Sequence, residues 1–417
     1  MGAETVARDN IVVGLDIGTT KIGCVIAEVN GDHSAKIVGV GTSRSEGLRR
    51  GVVVNLEKTV VSIGRAIEEA ELMAGVEVRN VYAGIAGDHI RSINSHGVIA
   101  VSRGGVEITR SDVNRVIDAA KAVAIPMDRE ILHILPQEFI VDEQTGIKDP
   151  TGMAGVRLEV DVHIVTGAVS SAQNLVKAIQ KAGYQVRDLV LEPLASSHGV
   201  LTDDERELGV ALVDIGGGTT DIALFHEGAI RHTSVIGLGG NNVTNDIAIG
   251  LRTPGREAER IKERYGTALA GLVADDEEVV VPRVAGQGER RVGRRILASI
   301  IQPRMEEILA LVQSDIRRSG WYDRIPAGLV MTGGASALPG TAELAESAFD
   351  MPIRIGFPLG VTGLIESVRD PRFATGVGLV QYGRGAGIDE NRFREGDDDS
   401  LWGRVLVRMR EWLDDFF

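Results

Sequence analysis

One hairpin is written twice in this chain. The segment 12–27, VVGLDIGTTKIGCVIA, returns in altered form at 210–225 as VALVDIGGGTTDIALF. In each copy an apolar strand ends in an aspartate, a glycine-containing turn with two threonines follows, and a second strand of alternating pattern runs back. A chain built on two such units folds into two similar halves, each offering one turn, with a ligand held between them.

The turns carry anion chemistry. Gly18 in the first, and Gly216, Gly217 and Gly218 in the second, leave room for backbone amides to approach a phosphate. Thr19, Thr20, Thr219 and Thr220 add hydroxyl donors, and Lys21 adds a positive charge suited to an outer phosphate. Asp16 and Asp214 would repel a phosphate directly, but each can hold the water shell of a Mg²⁺ that neutralises one. One D-x-G-T-T turn is an ordinary hairpin; two in register are a site. Neither GxxxxGK[ST] nor a complete GxGxxG occurs, which disfavours a P-loop or Rossmann site.

Composition narrows the setting. The 417 residues hold 52 glycines against 12 prolines, the glycines gathering at the ends of Val/Ile-rich runs, so an α/β or α+β architecture of several domains is expected. Strands are predicted at Ile11–Ile17, Ile22–Val29, Val210–Ile215, Asp221–Phe225 and Leu329–Thr332, and helices at Leu56–Ala74, Ser170–Ala182 and Arg294–Ser319, the last kinked or split by Pro303. A net charge of −14 argues against a nucleic-acid-gripping protein. The single cysteine, Cys24, sits on an alternating strand and reads as core in a reducing compartment. The start MGAETVARDN lacks the order of a signal peptide, Val6 stands where myristoylation wants Ser or Thr, and no run of about eighteen apolar residues occurs, so a cytosolic chain is expected.

Between the two copies, residues 84–166 change character: strands around 81–86, 90–101, 131–141 and 157–165, with a helix from a Ser111 cap through Ala124, read as an α+β insertion. Past Tyr382 the chain becomes polar and acidic, RGAGIDENRFREGDDDS, which reads as a tether.

The paired turns resemble the phosphate 1 and phosphate 2 motifs of the superfamily that contains actin, sugar kinases and heat-shock chaperone ATPases. Further segments resemble its other motifs in the expected order. LEPLASS (Leu191–Ser197) is similar to the first connecting motif, whose glutamate, here Glu192, is implied to orient the hydrolytic water or a metal-bound one. AERIKERYG (Ala258–Gly266) is similar to the stretch whose glutamate and lysine reach the ribose, here Glu259 and Lys262, which share one helix face at i and i+3. VMTGGASALPG (Val330–Gly340) resembles the adenosine motif, with Gly333, Gly334 and Ser336; missing side chains there let a flat base lie against backbone. Gly240, in GLGGNNVTNDIA, matches a further glycine near the phosphates.

Within the superfamily the resemblance is to the FtsA family of bacterial cell-division actin homologues and covers nearly the whole chain. It is carried by the insertion segments GIAGDHIRSINSHGVIAVS and LHILPQEFIVDEQTGIKDPTGMAG and by the tether-plus-helix ending. It implies an actin-like fold of two related halves around a nucleotide cleft. Subdomain 1A would occupy 9–83 and 167–192 and return at 364–383; 1C, 84–166; 2A, 193–232 and 298–363; 2B, 233–297; a linker, 384–399; and a membrane-targeting helix, 400–417. It further implies ATP and Mg²⁺ as ligands, at most slow hydrolysis, polymerisation on the cytoplasmic face of the membrane at the division site, anchoring of the tubulin-like FtsZ ring, and recruitment of later division proteins through 1C. Competing readings on the same fold are an ATP-dependent kinase, a chaperone-type ATPase and a pilus-assembly adaptor.

Two surface features complete the reading. In SLWGRVLVRMREWLDDFF, residues Leu401, Trp402, Val405, Leu406, Met409, Trp412, Leu413 and Phe416 fall on one side of a helix, as for insertion at a headgroup boundary or docking in a groove. Arg404, Arg408 and Arg410 are matched by Glu411, Asp414 and Asp415, so insertion would rest on apolar burial. A basic run, Arg283, Arg290, Arg291, Arg294 and Arg295, reads either as a solvated face or, by the resemblance, as the 2B site for the FtsZ C-terminal peptide, with Arg290, Arg291, Arg294 and Arg295 pairing its carboxylates.

Overall fold

The computed structural model describes residues 10–31, 34–101, 107–283 and 288–390. Each repeated hairpin lies at the heart of its own sheet, and the two sheets share one plan. In the first, the hairpin Ile11–Ile17/Lys21–Val29 is extended by the antiparallel strand Ala35–Arg44 on one side and by the parallel strands Asn80–Ile85 and Gln185–Leu191 on the other. In the second, Val210–Ile215/Thr220–His226 is extended by Ala229–Ile236 and by Leu329–Thr332 and Ile353–Ile355 in the same senses. Val361–Gly363 returns to add a sixth strand to the first sheet. The central strands are near-continuous runs of Val, Ile, Leu and Ala, as strands covered on both faces require, and Val210 through Val213 are fully buried.

Two helices, Glu192–Val200 and Ala374–Glu390, are packed against each other and contact both sheets. Their spacing is set by absent side chains: a Cβ on Gly378 would overlap the Ala195 carbonyl, and one on Gly199 the Ala374 carbonyl. Leu194, Ala195, Ala374 and Leu379 join one hydrophobic core with Leu15 and Val190 of the first half and Leu212 and Phe225 of the second. The longer helix runs to Glu390, inside the stretch from 384 whose composition reads as linker.

The insertion forms a four-stranded antiparallel sheet, in the order Arg91–Ala100, Arg157–Ala168, Arg129–Val141, Gln144–Ile147, with the helix Arg110–Ala120 on one face. That helix is capped by Thr109, not Ser111. The Thr109 side chain accepts from the Asp112 amide while the Asp112 carboxylate reaches back to the Thr109 amide, a reciprocal capping box. The insertion emerges from the first half yet also binds the second. Ser92 Oγ donates to the Thr233 carbonyl (2.8 Å), Gln137 Nε2 to the Ile230 carbonyl (2.8 Å), and the His163 ring lies between Asn94 Oδ1 (2.6 Å) and Thr233 Oγ1 (2.8 Å).

The second half carries helices Gly240–Gly250 and Gly255–Tyr265, the ribbon Glu278–Pro282/Glu289–Gly293 and the helix Arg294–Arg318. Pro303 does not split that last helix. The proline sits on its exposed face, so the carbonyl left without a helical donor lies on the solvent side. Among the described residues no helix is long and apolar enough to cross a membrane.

Replacing Gly378 by Ala inserts a methyl group where two helices touch through backbone, an overpacking expected to cost about 1–3 kcal/mol. The urea unfolding midpoint should fall accordingly, and an unchanged midpoint would mean that the helix spacing is soft.

Candidate nucleotide site

The two repeated turns meet face to face. The Thr20 side chain lies against Gly217 and the Thr19 side chain against Gly218, so a Cβ on either glycine would overlap a threonine. Each turn closes in the same way: the Gly18 amide donates to the Lys21 carbonyl (3.0 Å) and the Gly216 amide to the Thr219 carbonyl (2.9 Å). Thr219 Oγ1 donates to Asp221 Oδ2 (2.9 Å) and Thr220 Oγ1 to the Leu238 carbonyl (2.9 Å).

The resemblance-derived residues of the second half converge on this turn. The Gly216 carbonyl accepts from the Gly240 amide (2.9 Å), and the Gly240 carbonyl accepts from Lys262 Nζ (3.1 Å). Lys262 Nζ also reaches Thr244 Oγ1 and Glu259 Oε2, both at 2.9 Å, and Thr244 Oγ1 donates to Glu259. Glu259, Lys262 and Gly240 are thus one cluster, completed by Thr244. Gly333 closes the third side. Its φ of +86° suits glycine, and a Cβ there would overlap Asp214 Oδ1 and the Ile215 carbonyl. The Ala335 amide donates to that carbonyl (3.0 Å), and the Ala335 methyl faces Gly240. Ser336 is buried, its hydroxyl donating to the Gly333 carbonyl (2.7 Å), while Gly334 lies beside Arg372.

The cleft floor is acidic. Asp16 ends the first strand and forms an ion pair with Lys21 at 3.6 Å. Lys21 Nζ also donates to the Arg372 carbonyl (2.6 Å) and lies 4.4 Å from the Phe373 ring centre, so here it serves Asp16 and the carboxyl-terminal segment. Asp214 Oδ2 accepts from Ser196 Oγ (2.8 Å) and Thr375 Oγ1 (3.4 Å). Glu192 opens its helix ahead of Pro193, its side chain against Gly84. Burial pushes all of these carboxyls upward: Asp16 despite Lys21, Asp214 to about 6, and Glu192 well above the usual range, with the neighbouring aspartates adding to the last.

Asp221 escaped the sequence reading. Counting back from the turn pairs Asp214 with Asp221 across the hairpin, whereas Asp16 faces Gly23. Like charges directly opposite are unfavourable, and that register was a readable signal. Burial, then Asp214, pushes Asp221 up to about 8, and its Oδ1 is buried with no hydrogen-bond partner. In the first half Lys21 lies over Gly23, so a lysine balances one copy and a second acid loads the other. Ser196, Thr375 and Thr244 also escaped notice, since single hydroxyls carry no pattern.

These residues fit a phosphate accompanied by a cation. The turns bring glycine backbone and threonine hydroxyls together, the buried carboxyls call for a positive charge, and the orphaned Asp221 acceptor points at the same need. Among the described residues no three His, Cys, Asp or Glu side chains converge to cage an ion.

The four arginines lie elsewhere, on the ribbon and the first turn of the helix Arg294–Arg318. Arg290 donates to the Leu251 carbonyl (2.6 Å) and Arg294 to the Tyr265 carbonyl (2.9 Å) and Glu277 (2.6 Å). Arg291 pairs with Glu278 (3.2 Å) and Arg295 with Asp275, both at the surface. Leu401, Trp402, Val405, Leu406, Met409, Trp412, Leu413 and Phe416 lie outside the described residues.

Two homologous sheets with facing turns, joined by a helix pair, define a protein of the actin-like fold. Solved structures agree. The PilM–PilN type IV pilus biogenesis complex matches with a TM-score of 0.64 at 17% identity, covering 89% of this chain and 98% of that one. MreB5 of Spiroplasma citri bound to ADP matches with a TM-score of 0.56 at 14% identity, over 93% and 100%. Sequence comparison is more specific. A family model described as "Cell division protein FtsA" matches residues 211–378, and one described as "SHS2 domain inserted in FTSA" matches 87–166. The cell division protein FtsA of Pseudomonas aeruginosa is 50% identical over 98% of this chain and 99% of its own length. That of Escherichia coli K12 is 42% identical over 97% of each, and that of Bacillus subtilis 41% over 90% and 84%. The chain belongs to the FtsA family of cell division proteins.

A carboxyl raised from 3.8 to about 8 by folding favours the folded state below the unfolded value, and that contribution is lost as pH rises through the folded one. Ligand-free protein should therefore lose melting temperature between pH 5 and pH 8.5. In Asp221→Asn, which cannot ionise, the loss should be shallower and the variant the more stable at pH 8.5. Parallel pH profiles would show that Asp221 is not strained by its charge.

Proposed function

We propose that this chain is an ATP-binding, actin-like division protein that polymerises on the cytoplasmic face of the cell membrane and anchors the FtsZ ring there. The observation that supports it most is the convergence of five separate sequence segments, around Gly18, Gly217, Gly240, Lys262 and Gly333, on one cleft. Such an arrangement suits a nucleotide: turns 16–21 and 214–220 for the phosphates, Glu259 and Lys262 for the ribose, and the Gly333–Ser336 turn for the base. Asp16 and Asp214 would hold Mg²⁺ through its waters, the ion supplying positive charge to the outer phosphates. Glu192 is the one residue the family motif offers to orient a water, so turnover would be slow and the role primarily structural.

On this reading the insertion 84–166 would be subdomain 1C, the surface for other division proteins, and 233–297 would be 2B. The helix 400–417 would attach the protein to lipid. One short amphipathic helix of balanced charge gives marginal, reversible binding, so attachment would depend on many helices linked in a filament. On a lipid monolayer with Mg-ATP, the full chain should form membrane-bound filaments and a version ending before Ser400 should not attach. Absence of filaments and lipid binding together with rapid ATP turnover would favour an enzyme instead.

Arg291 and Arg295 suit the carboxylates of the FtsZ C-terminal peptide. Each already has an acidic partner, but exposed pairs are worth under about 1 kcal/mol, so an incoming carboxylate can exchange for them at little cost. The double replacement by Glu should reduce peptide affinity at least about tenfold with an unchanged melting temperature. Retained affinity would move the peptide site elsewhere.

A further inference from the structure

One charged residue at the cleft fits none of the roles above. The short strands Leu48–Arg49 and Val52–Val53 pair antiparallel, with Arg49 opposite Val52, leaving a two-residue turn, Arg50–Gly51. Both residues lie in the left-handed region, at φ +50° and +76°. Such turns favour Asn-Gly or Gly-Gly, and a long side chain at the first position is strained there. Strain held on a chemically capable residue is a reason to ask what it does.

The turn is held by its surroundings. The Gly51 amide donates to Thr19 Oγ1 (3.1 Å), tying it to the first phosphate turn. On its other side the Arg50 carbonyl backs onto Gly87, where an added Cβ would come within 2.9 Å of it. The side chain then crosses to the other half. Its Nη1, Cδ and Cζ lie 3.7–3.9 Å from where a Cβ on Gly237 would sit, against the loop that leads through Gly239 to Gly240. Among the described residues the exposed guanidinium has no hydrogen bond or ion pair. It is not the counter-ion of the cleft floor either, since the positive charge acting on Asp16 comes from Lys21. Arg50 is thus a cation with five donors, fixed to one phosphate turn, lying against the loop that follows the other, and without an anion.

We propose that Arg50 is the cross-cleft ligand of the terminal phosphate of a nucleoside triphosphate, and so distinguishes the triphosphate from the diphosphate. This rests on the nucleotide reading above. Planar guanidinium donors match the oxygens of a terminal phosphoryl group, and Arg50 stands where the turn tied to Thr19 meets the loop leading to Gly240. Bound there, the phosphoryl group would join Arg50 of the first half to the loop of the second.

The test measures equilibrium binding of Mg-ATP and Mg-ADP to the full chain in wild type, Arg50→Ala, Arg50→Lys and Arg50→Asn. Wild type should prefer Mg-ATP. Arg50→Ala and Arg50→Asn should weaken Mg-ATP about tenfold or more and leave Mg-ADP within about twofold, and Arg50→Lys should recover part of the difference. Arg50→Asn, which accepts the left-handed backbone, should melt no lower than wild type, separating lost contact from a damaged turn. Equal losses for both nucleotides, or none for either, would overturn the assignment while leaving the nucleotide site intact. Failure of wild type to bind either nucleotide would overturn the site itself, and Arg50's role with it.

Discussion

Everything in this architecture serves the contact between two hairpin turns. Thr19 and Thr20 lie on the glycines of the opposite turn with no side chain between them, so an error of one methyl group in the separation of the halves would be felt there. The distance is held from behind. The helices Glu192–Val200 and Ala374–Glu390 approach through Gly199 and Gly378, and the core they share takes residues from both sheets, so neither half can shift without disturbing the other's packing. The burial that makes the contact close also withdraws water from Asp16, Asp214 and Asp221. A stable scaffold and a charge-hungry floor are one arrangement.

The electrostatics of the halves differ although their folds match. At equivalent places one copy holds Lys21 above Gly23 and the other holds Asp221, so the pseudo-symmetric cleft is polarised toward the second half. A symmetric ligand has no reason to prefer such a site. A molecule whose charge is concentrated at one end does.

Much of this was legible in the sequence because one of its signals is strictly local. Strand, turn and strand recur at a fixed spacing, so both hairpins, their aspartates and their glycines could be placed to within a residue. The Glu259–Lys262 pair came from the family resemblance, helix periodicity adding only that the two share one face. What failed to show was set by register or by distant packing. Asp221 matters because it faces Asp214 across a hairpin, and Thr244 because a second helix brings Lys262 to it. Thr109 displaced Ser111 as the cap because the acid it needs stands three residues on, at Asp112. Pro303, a strong local signal, does not end its helix because its face of the helix is exposed. The left-handed turn at Arg50 was invisible for another reason: arginine is not a residue that advertises such a backbone.

The insertion holds both halves. It grows from the first sheet, yet Ser92, Gln137 and His163 hydrogen-bond to the strand Ala229–Ile236 of the second. Opening the cleft must therefore strain or break those bonds, and displacing the insertion must alter the cost of opening. Linkage makes the relation reciprocal: whatever grips the insertion and prefers one of its positions changes affinity in the cleft by the same factor as the cleft's ligand changes the grip. The domain is a lever with its fulcrum on one half and its load on the other.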